Sequence, residues 1–577
     1  METVNVIING RSYTVPKDAT VLEAAKIAGV DIPTLCYLKG INEIGACRMC
    51  LVEVKGARGL VTSCVYPVNE GMEITTNSPA IMAARKQNLE LLLSGHDKNC
   101  LSCVRSTNCE LQKLCREYGV DSHAMEGKVN QHEIDDSGYS ITRDNGKCIL
   151  CRRCVGACKN QGIGAISAIN RGFDTEIGTE FGARLADTTC INCGQCIEAC
   201  PVGALYEHDD TDKVFAALAD PTKHVAICIA PSVRTAIGEA FGNPIGTDTE
   251  GKMVAAVKRL GFDGVYDMNF AADLTIVEEA TELVERLQNG GKLPMITSCS
   301  PGWIKFCEHY FPDMIDNLST CKSPQQMFGA IYKTYFAKKM GLNPEDIVMV
   351  SCIPCTAKKF EVKRDKQSAA GVPDVDIAIT TRELARMISV AGLDYNALPD
   401  EAFDDPIGKG TGAGIIFGAT GGVMEAALRT AAELVGGVPF EKLDVAPIRG
   451  VEGIKSASYK IGDITINVAV ASGTKNANTL LKKVQNGEVD LQFIEIMACP
   501  GGCVNGGGQP IVPASVRNNI DVRAVRAGIL YRADEASAVR TSHENSAVKM
   551  VYDEFLGQYG SHLAHEILHT GYVKRGR

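Results

Sequence analysis

The sequence predicts a multidomain protein in which small cysteine-rich modules, among them a β-grasp module and an α+β module, precede a large α/β domain. Its 577 residues exceed what one hydrophobic core organises. Sixteen of the 24 cysteines lie in residues 1–200, so the composition changes after that point. From about Val225, short apolar runs that end in turn residues alternate with helical stretches. This pattern predicts α/β layers with ligands at the strand ends.

Charge and hydropathy argue against several classes of function. A net charge of -10 argues against a nucleic-acid partner. The N-terminal stretch METVNVIINGRSYTV alternates apolar and polar residues, so we expect neither a signal nor a transit peptide, and a cytoplasmic location. The sequence has no run of 18 or more apolar residues, and we expect no membrane span. In a reducing cytosol, 24 cysteines predict metal ligands rather than disulfides.

Residues 1–79 predict the β-grasp module. Asn9-Gly10 predicts a hairpin turn between two strands, and VLEAAKIAGV predicts an amphipathic helix that ends at Gly29. Four cysteines follow with the spacing C-x10-C-x2-C-x13-C, namely Cys36, Cys47, Cys50 and Cys64. Four thiolates can also bind tetrahedral zinc. The module resembles a plant-type ferredoxin, however, and we predict one [2Fe–2S] cluster.

Residues 80–125 carry a second candidate metal site. Its pattern is H-x3-C-x2-C-x5-C, formed by His96, Cys100, Cys103 and Cys109. One interpretation is a zinc knuckle beside a free histidine. The pattern resembles the histidine-ligated [4Fe–4S] site of iron hydrogenases and of the large peripheral subunit of respiratory NADH dehydrogenase, which implies a [4Fe–4S] cluster here. Cys115 lies nearby, and we predict only a structural role for it.

Residues 138–212 contain a repeated C-x2-C-x2-C-x3-C run, the spacing of bacterial two-cluster ferredoxins. In that fold, the fourth cysteine of each run ligates the other cluster. One [4Fe–4S] cluster is therefore predicted on Cys148, Cys151, Cys154 and Cys200. The other is predicted on Cys158, Cys190, Cys193 and Cys196. Four such clusters in a row would transfer electrons without making bonds, so bond chemistry is expected further along the chain.

Residues 220–515 form the candidate catalytic domain. Three predicted strand-end loops carry cysteine, in TSCSPGW, IPCTAKKFE and EIMACPGGCVNGGG. These stretches resemble the three signature motifs of the [FeFe]-hydrogenase family, and the order of the N-terminal cluster motifs matches that family as well. The resemblance implies reversible reduction of protons to H2. It also implies a six-iron H-cluster, a [4Fe–4S] cubane joined to a di-iron unit with CO, cyanide and azadithiolate, between two α/β lobes.

The resemblance assigns ligands and pocket residues within this domain. It implies that Cys355 and Cys499 hold the cubane and that Cys503 bridges the cubane to the di-iron unit. Lys358 matches the motif lysine that hydrogen-bonds a cyanide, a role that suits a buried ammonium. The remaining matched positions surround the di-iron unit, and they are Pro231, Ser232, Gln325, Gly418 and Met497.

A proton relay is also implied. The family's relay positions are occupied by Cys299, Glu279, Ser319 and Glu282. On a helix the two glutamates are three residues apart and share a face, and apolar surroundings would raise their pKa. Without the resemblance, the stretch VEEATELVER predicts only a solvated helix face. Glu361, the acidic residue of the second motif, is predicted to pair with an Arg or Lys near the same path.

The chain departs from the family pattern at three motif positions. Ser300 stands where the usual motif has a cubane cysteine, and serine is a harder ligand than thiolate. Three interpretations follow: Ser300 ligates as an alkoxide, the iron takes another group, or a nearby cysteine such as Cys321 replaces it. Ile353 replaces a methionine and should alter packing over the di-iron unit. Pro500 has no predicted consequence.

Residues 520–577 resemble the small-subunit region of periplasmic iron hydrogenases and are predicted to wrap the catalytic domain as helices. His565-Glu566-x-x-His569 matches the zincin pattern H-E-x-x-H, but a third ligand is missing from the sequence, and we do not predict a protease. The glycine-rich stretch GTGAGIIFGATGG lacks a nucleotide-binding fingerprint.

The expected substrates are H2 and protons, and the expected partners are maturation proteins and an electron carrier. The carrier is either ferredoxin or a set of NAD(P)H-oxidising flavoprotein subunits. TSCSPGW resembles the members that form complexes, so we favour the catalytic subunit of an NAD(P)-linked, electron-bifurcating complex over a stand-alone ferredoxin-dependent enzyme. A non-catalytic iron–sulfur assembly or H2-sensing protein, and a pure electron-transfer subunit, are the alternatives from other classes.

Overall fold

The computed structural model describes residues 2–125, 127, 129–130, 132–405, 407, 409–434, 437, 439–451, 453–462 and 464–576. Within these ranges, no helix is both long and apolar enough to cross a lipid bilayer. All 24 cysteines belong to the described residues, and none of them forms a disulfide bond.

The N-terminal module is a five-stranded mixed sheet with one helix against it. Both residues of the predicted Asn9-Gly10 turn have positive φ, 48° and 80°, which matches the twist of a tight hairpin. Thr20 and Glu23 form a capping box that starts the helix. The elements are β1 (Thr3–Ile8), β2 (Arg11–Pro16), α1 (Val21–Ile27), β3 (Leu51–Val54), β4 (Val61–Thr62) and β5 (Glu73–Thr75), in the sheet order β2-β1-β5-β3-β4. The central β1–β5 pair is parallel and the other pairs are antiparallel.

The next segment contains the remaining cysteine-rich loops on short elements. Two helices, α2 (Pro79–Ser94) and α3 (Glu110–Glu117), precede a small α+β unit. Its elements are β6 (Ile134–Asp135), β7 (Ile141–Asp144), α4 (Arg153–Asn160), β8 (Ser167–Ile169), β9 (Glu176–Gly178), α5 (Gln195–Ala199) and β10 (Leu205–Glu207). The strands form a β10-β7-β6 sheet and a separate β8-β9 pair.

The large domain contains two four-stranded sheets, as the alternation of apolar runs and helical stretches predicts. The first sheet is parallel throughout and has the order β12 (Gly264–Asp267), β11 (His224–Ile229), β14 (Ile347–Cys352) and β15 (Ile377–Ile379). The second has the order β13 (Met295–Ile296), β18 (Phe493–Met497), β17 (Ile464–Ser472) and β16 (Ile454–Ile461), of which only β16 runs antiparallel.

Helices cover the sheets, and buried aliphatic and aromatic residues fill the space between them. The α-helices of this domain are α6 (Thr211–Ala219), α7 (Glu250–Arg259), α8 (Asn269–Asn289), α9 (Pro301–Tyr310), α10 (Pro324–Ile331), α11 (Ala337–Met340), α12 (Ala357–Glu361), α13 (Thr381–Val390), α14 (Gly412–Ile415), α15 (Gly422–Leu434), α16 (Thr474–Gln485) and α17 (Ala514–Arg517). Helix α8 is buried along most of its first four turns. It therefore carries its glutamates into the core rather than into solvent.

The C-terminal segment adds α18 (Val522–Ala536), α19 (Ser546–Val551) and α20 (His562–Leu568). Their apolar residues join the cores of the large domain. The buried Asp273 carboxylate accepts hydrogen bonds from Ser542 and Asn545, 2.7 and 2.8 Å long. The segment thus packs as part of the large domain's core.

Candidate active site

Strands of both sheets end at one largely apolar cavity of about 80 Å³. The loops that follow β11 and β14 of the first sheet and β13 and β18 of the second all line it. Parallel strands place their carboxyl ends at one edge of a sheet, and ligands bind there. The carboxyl ends of parallel strands from both sheets meet at the cavity, and they therefore bring separate sequence motifs into a single site.

Most predicted active-site residues line this cavity. They are Pro231, Ser232, Cys299, Ser300, Gln325, Cys355, Lys358, Gly418, Met497, Cys499 and Cys503. The predicted residues outside its lining are Glu279, Glu282, Ser319 and Glu361. Ile353, the motif departure, also lines the cavity, and so does Phe417, which carries no sequence signal of its own.

The donor set suits a soft metal centre. Burial raises the pKa of Cys355 and Cys499, and it raises the pKa of Cys503 to about 12. Such thiols lose their protons when a metal binds them. The loop that carries Cys503 packs tightly against the loop that carries Cys355, because a Cβ at Gly506 would lie 1.9 Å from the Pro354 carbonyl oxygen.

Two polar groups are positioned to contact a group in the cavity. The Lys358 ammonium donates to the Cys299 carbonyl oxygen at 3.1 Å and to Glu361 Oε2 at 2.9 Å, which leaves its third N–H for the cavity. Among the described residues, the buried Ser232 Oγ has no hydrogen-bond partner. A buried hydroxyl without a partner is costly, so a bound hydrogen-bond acceptor would satisfy it. Both observations fit the group that the sequence implies.

Glu361 organises this side of the site without lining it. Its Oε2 also accepts hydrogen bonds from Ser323 at 2.8 Å and from Gln325 at 3.0 Å. One buried carboxylate oxygen therefore holds both Lys358 and Gln325 against the cavity. This agrees with the predicted pairing to a lysine and makes Glu361 a positioning residue.

Two of the four predicted relay residues, Glu279 and Glu282, lie on α8, whereas Ser319 lies in the loop before α10 and Cys299 in the loop before α9. Burial and the nearby charge of Glu282 raise the pKa of Glu279 to about 8. In the part of the chain that the structure describes, neither carboxylate oxygen of Glu279 has a hydrogen-bond partner. Ser319 Oγ donates to Glu282 Oε2 at 2.9 Å. The predicted relay thus includes a carboxyl that its raised pKa keeps protonated at neutral pH, as a proton carrier requires.

Arg286 pairs with Glu282 and was absent from the sequence prediction. Its guanidinium donates to Glu282 Oε1 at 2.6 Å and to the Leu318 carbonyl oxygen at 2.7 Å. The sequence contained a signal for this pair. Residues four apart on a helix are neighbours, and Arg286 follows Glu282 at that spacing.

The titration of Glu279 leads to a pH prediction. Below pH 8 the carboxyl is protonated and can supply protons, and above pH 8 it is ionised. At constant driving force, we expect the rate of H2 production to fall by about tenfold per pH unit once the pH exceeds 8. Protein-film voltammetry at fixed overpotential measures this. A profile without change from pH 7 to 9.5 would contradict it, and Glu279→Gln should lack the inflection.

Ser300 lines the cavity next to the cysteines of the third motif. It precedes α9, and its Oγ accepts a hydrogen bond from the Ala498 amide at 3.3 Å. Cys321, the alternative ligand, does not line the cavity. Its sulfur instead lies 3.8 Å from Glu282 Oε2, in the predicted relay. The geometry therefore favours Ser300 over Cys321 at the fourth ligand position.

Variants at Ser300 test this assignment. We expect Ser300→Cys to release iron to a chelator more slowly than the unmodified protein, because iron in a cubane prefers thiolate to a hard oxygen ligand. We expect Ser300→Ala to release it several-fold faster. The measurement is the rate of iron loss followed by absorbance. Equal rates for all three proteins would exclude Ser300 as a ligand.

The two ferredoxin-like runs supply two further cavities, with their fourth cysteines exchanged. One cavity is lined by Cys148, Cys151, Cys154 and Cys200. The other is lined by Cys158, Cys190, Cys193 and Cys196. These are the two sets that the spacing predicts, although their role as ligands stays a prediction. Cys193 also lines the central cavity, so the second set adjoins the active site.

The N-terminal cysteines also come together. Cys50 Sγ and Cys64 Sγ are 3.3 Å apart, and the Cys36 amide donates to Cys47 Sγ at 3.4 Å. In the second module, burial and the Lys147 ammonium lower the pKa of His96 to about 4, which keeps the ring in the neutral form that binds metals. Among the described residues, its buried Nδ1 has no hydrogen-bond partner.

The metal sites do not follow one another in a row, contrary to the prediction. Asn42 Nδ2 donates to the carbonyl oxygens of both Cys36 and Cys151. Arg105 donates to the Cys200 carbonyl oxygen at 2.9 Å. The β-grasp site and the histidine site therefore both adjoin the set that contains Cys151 and Cys200, and the arrangement is branched. Sequence order cannot reveal this, because docking of separate modules decides which loops meet.

The C-terminal H-E-x-x-H pattern does not form a zincin site. Helix α20 ends at Leu568, so His569 lies just beyond the helix, with its ring centroid 4.0 Å from that of His565. The His569 side chain turns inward, with Nε2 3.1 Å from Glu278 Oε2.

The fold and the cavity together define a class of protein, an iron–sulfur oxidoreductase whose electron-transfer modules adjoin a buried thiol-lined metal site. Family models agree with this class along the chain. The model for the C-terminal domain of the iron-only hydrogenase large subunit matches residues 223–507. The other matches are a 2Fe-2S cluster binding domain (1–79), an iron–sulfur binding region of NADH-ubiquinone oxidoreductase-G (85–124), a 4Fe-4S dicluster domain (147–204) and an iron hydrogenase small subunit (520–575).

Comparison with individual proteins identifies the family of this chain. The NADP-reducing hydrogenase subunit HndD of Solidesulfovibrio fructosivorans is 48% identical over all of both chains. Iron hydrogenase 1 of Clostridium pasteurianum is 45% identical over 99% of this chain and all of its own. The solved [FeFe]-hydrogenase HydA1 from Chlamydomonas reinhardtii is 42% identical with a TM-score of 0.58, and it covers 64% of this chain and all of its own. The chain belongs to the iron-only hydrogenase family, and it is an oxidoreductase that acts on H2.

Proposed function

We propose that this iron hydrogenase interconverts protons and H2 at an H-cluster held in the central cavity, between two α/β lobes. The observation that carries the proposal is the meeting of three cavity-lining thiols, Cys355, Cys499 and Cys503, with the Lys358 ammonium and the Ser232 hydroxyl. Thiols hold iron, while ammonium and hydroxyl donors suit cyanide nitrogens.

Each lining residue has a proposed role. Ser300, Cys355 and Cys499 hold the cubane, and Cys503 bridges it to the di-iron unit, which would carry CO, cyanide and azadithiolate. When bound, the di-iron unit supplies the metal centre at which protons and electrons combine. Lys358 donates a hydrogen bond to a cyanide. The other lining residues exclude water and pack against the unit, and they are Pro231, Ser232, Gln325, Gly418 and Met497.

Protons reach the cavity through side chains of this chain. Cys299 donates and accepts at the cavity, and Glu279 exchanges protons with it. Ser319 and Glu282 continue the path towards Arg286. The 2.9 Å bond from Ser319 to Glu282 and the raised pKa of Glu279 support this order.

Electrons arrive through one [2Fe–2S] and three [4Fe–4S] accessory clusters on the cysteine sets and His96. The proposed domains are 1–79, 80–125, 138–212, 220–515 and 520–577. The second ferredoxin-like set delivers electrons to the site, because Cys193 lines both cavities. Maturation proteins are the proposed source of the di-iron unit.

Infrared spectroscopy tests the proposal. Matured protein should give stretching bands from metal-bound CO and cyanide, because these ligands absorb in a window free of protein bands. Protein matured in the same way that lacks the bands would contradict the proposal and favour an iron–sulfur assembly or H2-sensing role. Iron content measured on the same sample shows whether the accessory clusters were present.

We further propose that the chain is the catalytic subunit of an NAD(P)-linked, electron-bifurcating complex in the cytoplasm. Full-length similarity to an NADP-reducing hydrogenase subunit supports this. A stand-alone enzyme that uses ferredoxin is the alternative. Native purification should recover the chain with flavoprotein subunits. A chain recovered alone, with full ferredoxin-linked activity, would overturn this part of the proposal.

A further inference from the structure

The two sequence features without a role in catalysis, Cys321 and the histidine of the C-terminal pattern, meet at the outer end of the relay. The segment around His569 pairs with the segment around Cys321 as a short antiparallel bridge. The Lys322 amide donates to the Leu568 carbonyl oxygen at 2.8 Å, and the Thr570 amide donates to the Thr320 carbonyl oxygen at 2.8 Å. This backbone pairing places the imidazole beside the thiol.

Glu282 completes a cluster of three unlike donors. One ligand atom each from Glu282, Cys321 and His569 lies within 4.8 Å of the other two. The first two residues are buried, and His569 is partly accessible, with 7% of its side chain exposed. Sulfur, imidazole nitrogen and carboxylate oxygen are the donors that zinc prefers.

The spacing is compatible with a tetrahedral ion. Bonds of about 2.0–2.3 Å hold tetrahedral ligand atoms about 3.3–3.8 Å apart. Cys321 Sγ and Glu282 Oε2 are already 3.8 Å apart, so closing the set requires movement of about 1 Å from the imidazole.

A second shell orients the imidazole. Glu278 Oε2 lies 3.1 Å from His569 Nε2, and Glu278 Oε1 accepts from the Tyr552 hydroxyl. With its proton on Nε2, the ring accepts the Thr320 hydroxyl at Nδ1, 2.7 Å from Oγ1, so an ion on Nδ1 would take the place of that hydrogen bond. A carboxylate that fixes the tautomer of a ligating histidine is a recurrent feature of zinc sites.

Both carboxylate oxygens of Glu282 already accept hydrogen bonds. Oε1 accepts from Arg286 at 2.6 Å, whereas Oε2 faces the thiol and accepts the Ser319 hydroxyl at 2.9 Å, and the Thr320 amide lies 3.2 Å from Oε1 and 3.0 Å from Oε2. A cation on Oε2 would leave the arginine pair in place and would compete with Ser319 and with the Thr320 amide. The Ser319 contact is the one that links Glu282 to the relay.

We propose that Glu282, Cys321 and His569 bind one Zn²⁺ ion, and that this ion blocks proton transfer by occupying Glu282 Oε2. Binding displaces the Cys321 thiol proton, and a water completes the coordination. The inhibitory part rests on the proposed function, whereas the binding part does not.

Zinc stoichiometry tests the site directly. Matured enzyme is exposed anaerobically to micromolar Zn²⁺, desalted and analysed for zinc by plasma mass spectrometry. We expect one more zinc per chain than in His569→Gln and Cys321→Ala. His565→Gln is the matched control, because it removes an exposed imidazole next to His569 and should bind as the unmodified chain does. Equal zinc in all four proteins would overturn the site.

Inhibition tests the consequence. Zinc should suppress H2 production by the unmodified enzyme and by His565→Gln. The zinc concentration for half inhibition should rise at least about tenfold in His569→Gln and Cys321→Ala, each measured against its own zinc-free rate. Unchanged infrared bands must accompany the inhibition, and equal sensitivity of all proteins would overturn the block. If the zinc-free enzyme has no turnover, the proposed function fails and zinc stoichiometry alone decides the site.

Discussion

Replacing Cys299 with alanine should reduce H2 turnover by roughly 100- to 10,000-fold, the range that a positioned proton donor contributes. Cys299 lines the central cavity, and Glu279 behind it carries a proton at neutral pH. Without the thiol, a methyl group separates the carboxyl from the cavity. The measurement is the rate of H2 evolution with a strong reductant, which bypasses differences in the electron partner.

Cys307→Ala is the matched control for this variant. Cys307 is a buried thiol on α9, eight residues further along the chain, and its sulfur donates to the Phe311 carbonyl oxygen at 3.5 Å. The Cys307→Ala variant should retain most of the activity of the unmodified enzyme. The CO and cyanide bands should persist in both variants, since neither thiol is assigned to iron. Full activity in Cys299→Ala would remove that residue from the relay.

Replacing Cys503 with alanine should abolish turnover altogether. Cys503 lies in the glycine-rich loop after β18 and lines the cavity, where it is the proposed bridge between cubane and di-iron unit. Loss of the bridging thiolate should prevent retention of the di-iron unit. We therefore expect the CO and cyanide bands to disappear, whereas the paramagnetic resonance signals of the accessory clusters remain.

Cys352→Ala provides the comparison. This thiol is buried at the end of β14, three residues before Cys355, but it does not line the cavity. Loss of the Cys352 thiol should affect packing, and the CO and cyanide bands should remain. A Cys503→Ala protein with unchanged bands and turnover would disprove the bridging role, whatever the control shows.

Much of the site was predictable because ligand spacing is a local property. The C-x2-C-x2-C-x3-C runs predict two exchanged cysteine sets, and the structure places those sets in two cavities. Three motifs predict the cavity lining around Cys355, Lys358 and Cys503. The Asn9-Gly10 hairpin and the helix of the stretch VLEAAKIAGV were predictable for the same reason, since turn chemistry and apolar periodicity operate within a few residues.

The residues of the proposed proton relay were harder to predict from local sequence patterns. A stretch such as VEEATELVER is typical of a solvated face, and only the family resemblance assigned Glu279 and Glu282 to the interior. The structure buries both because α8 packs between the two sheets and the C-terminal segment. Burial of a polar helix face depends on partners hundreds of residues away, and periodicity does not reveal them.

By itself the sequence determined the family, the cysteine sets and the residues that meet at the cavity, because covalent spacing and motif order constrain which ligands one metal centre can take. Only the tertiary structure decided how the modules dock. Docking makes the accessory sites branched, places Ser300 rather than Cys321 at the cavity, and brings His569 to the outer end of the relay. The physical reason is that such contacts join surfaces distant in the chain, whose pairing depends on the packing of the whole molecule.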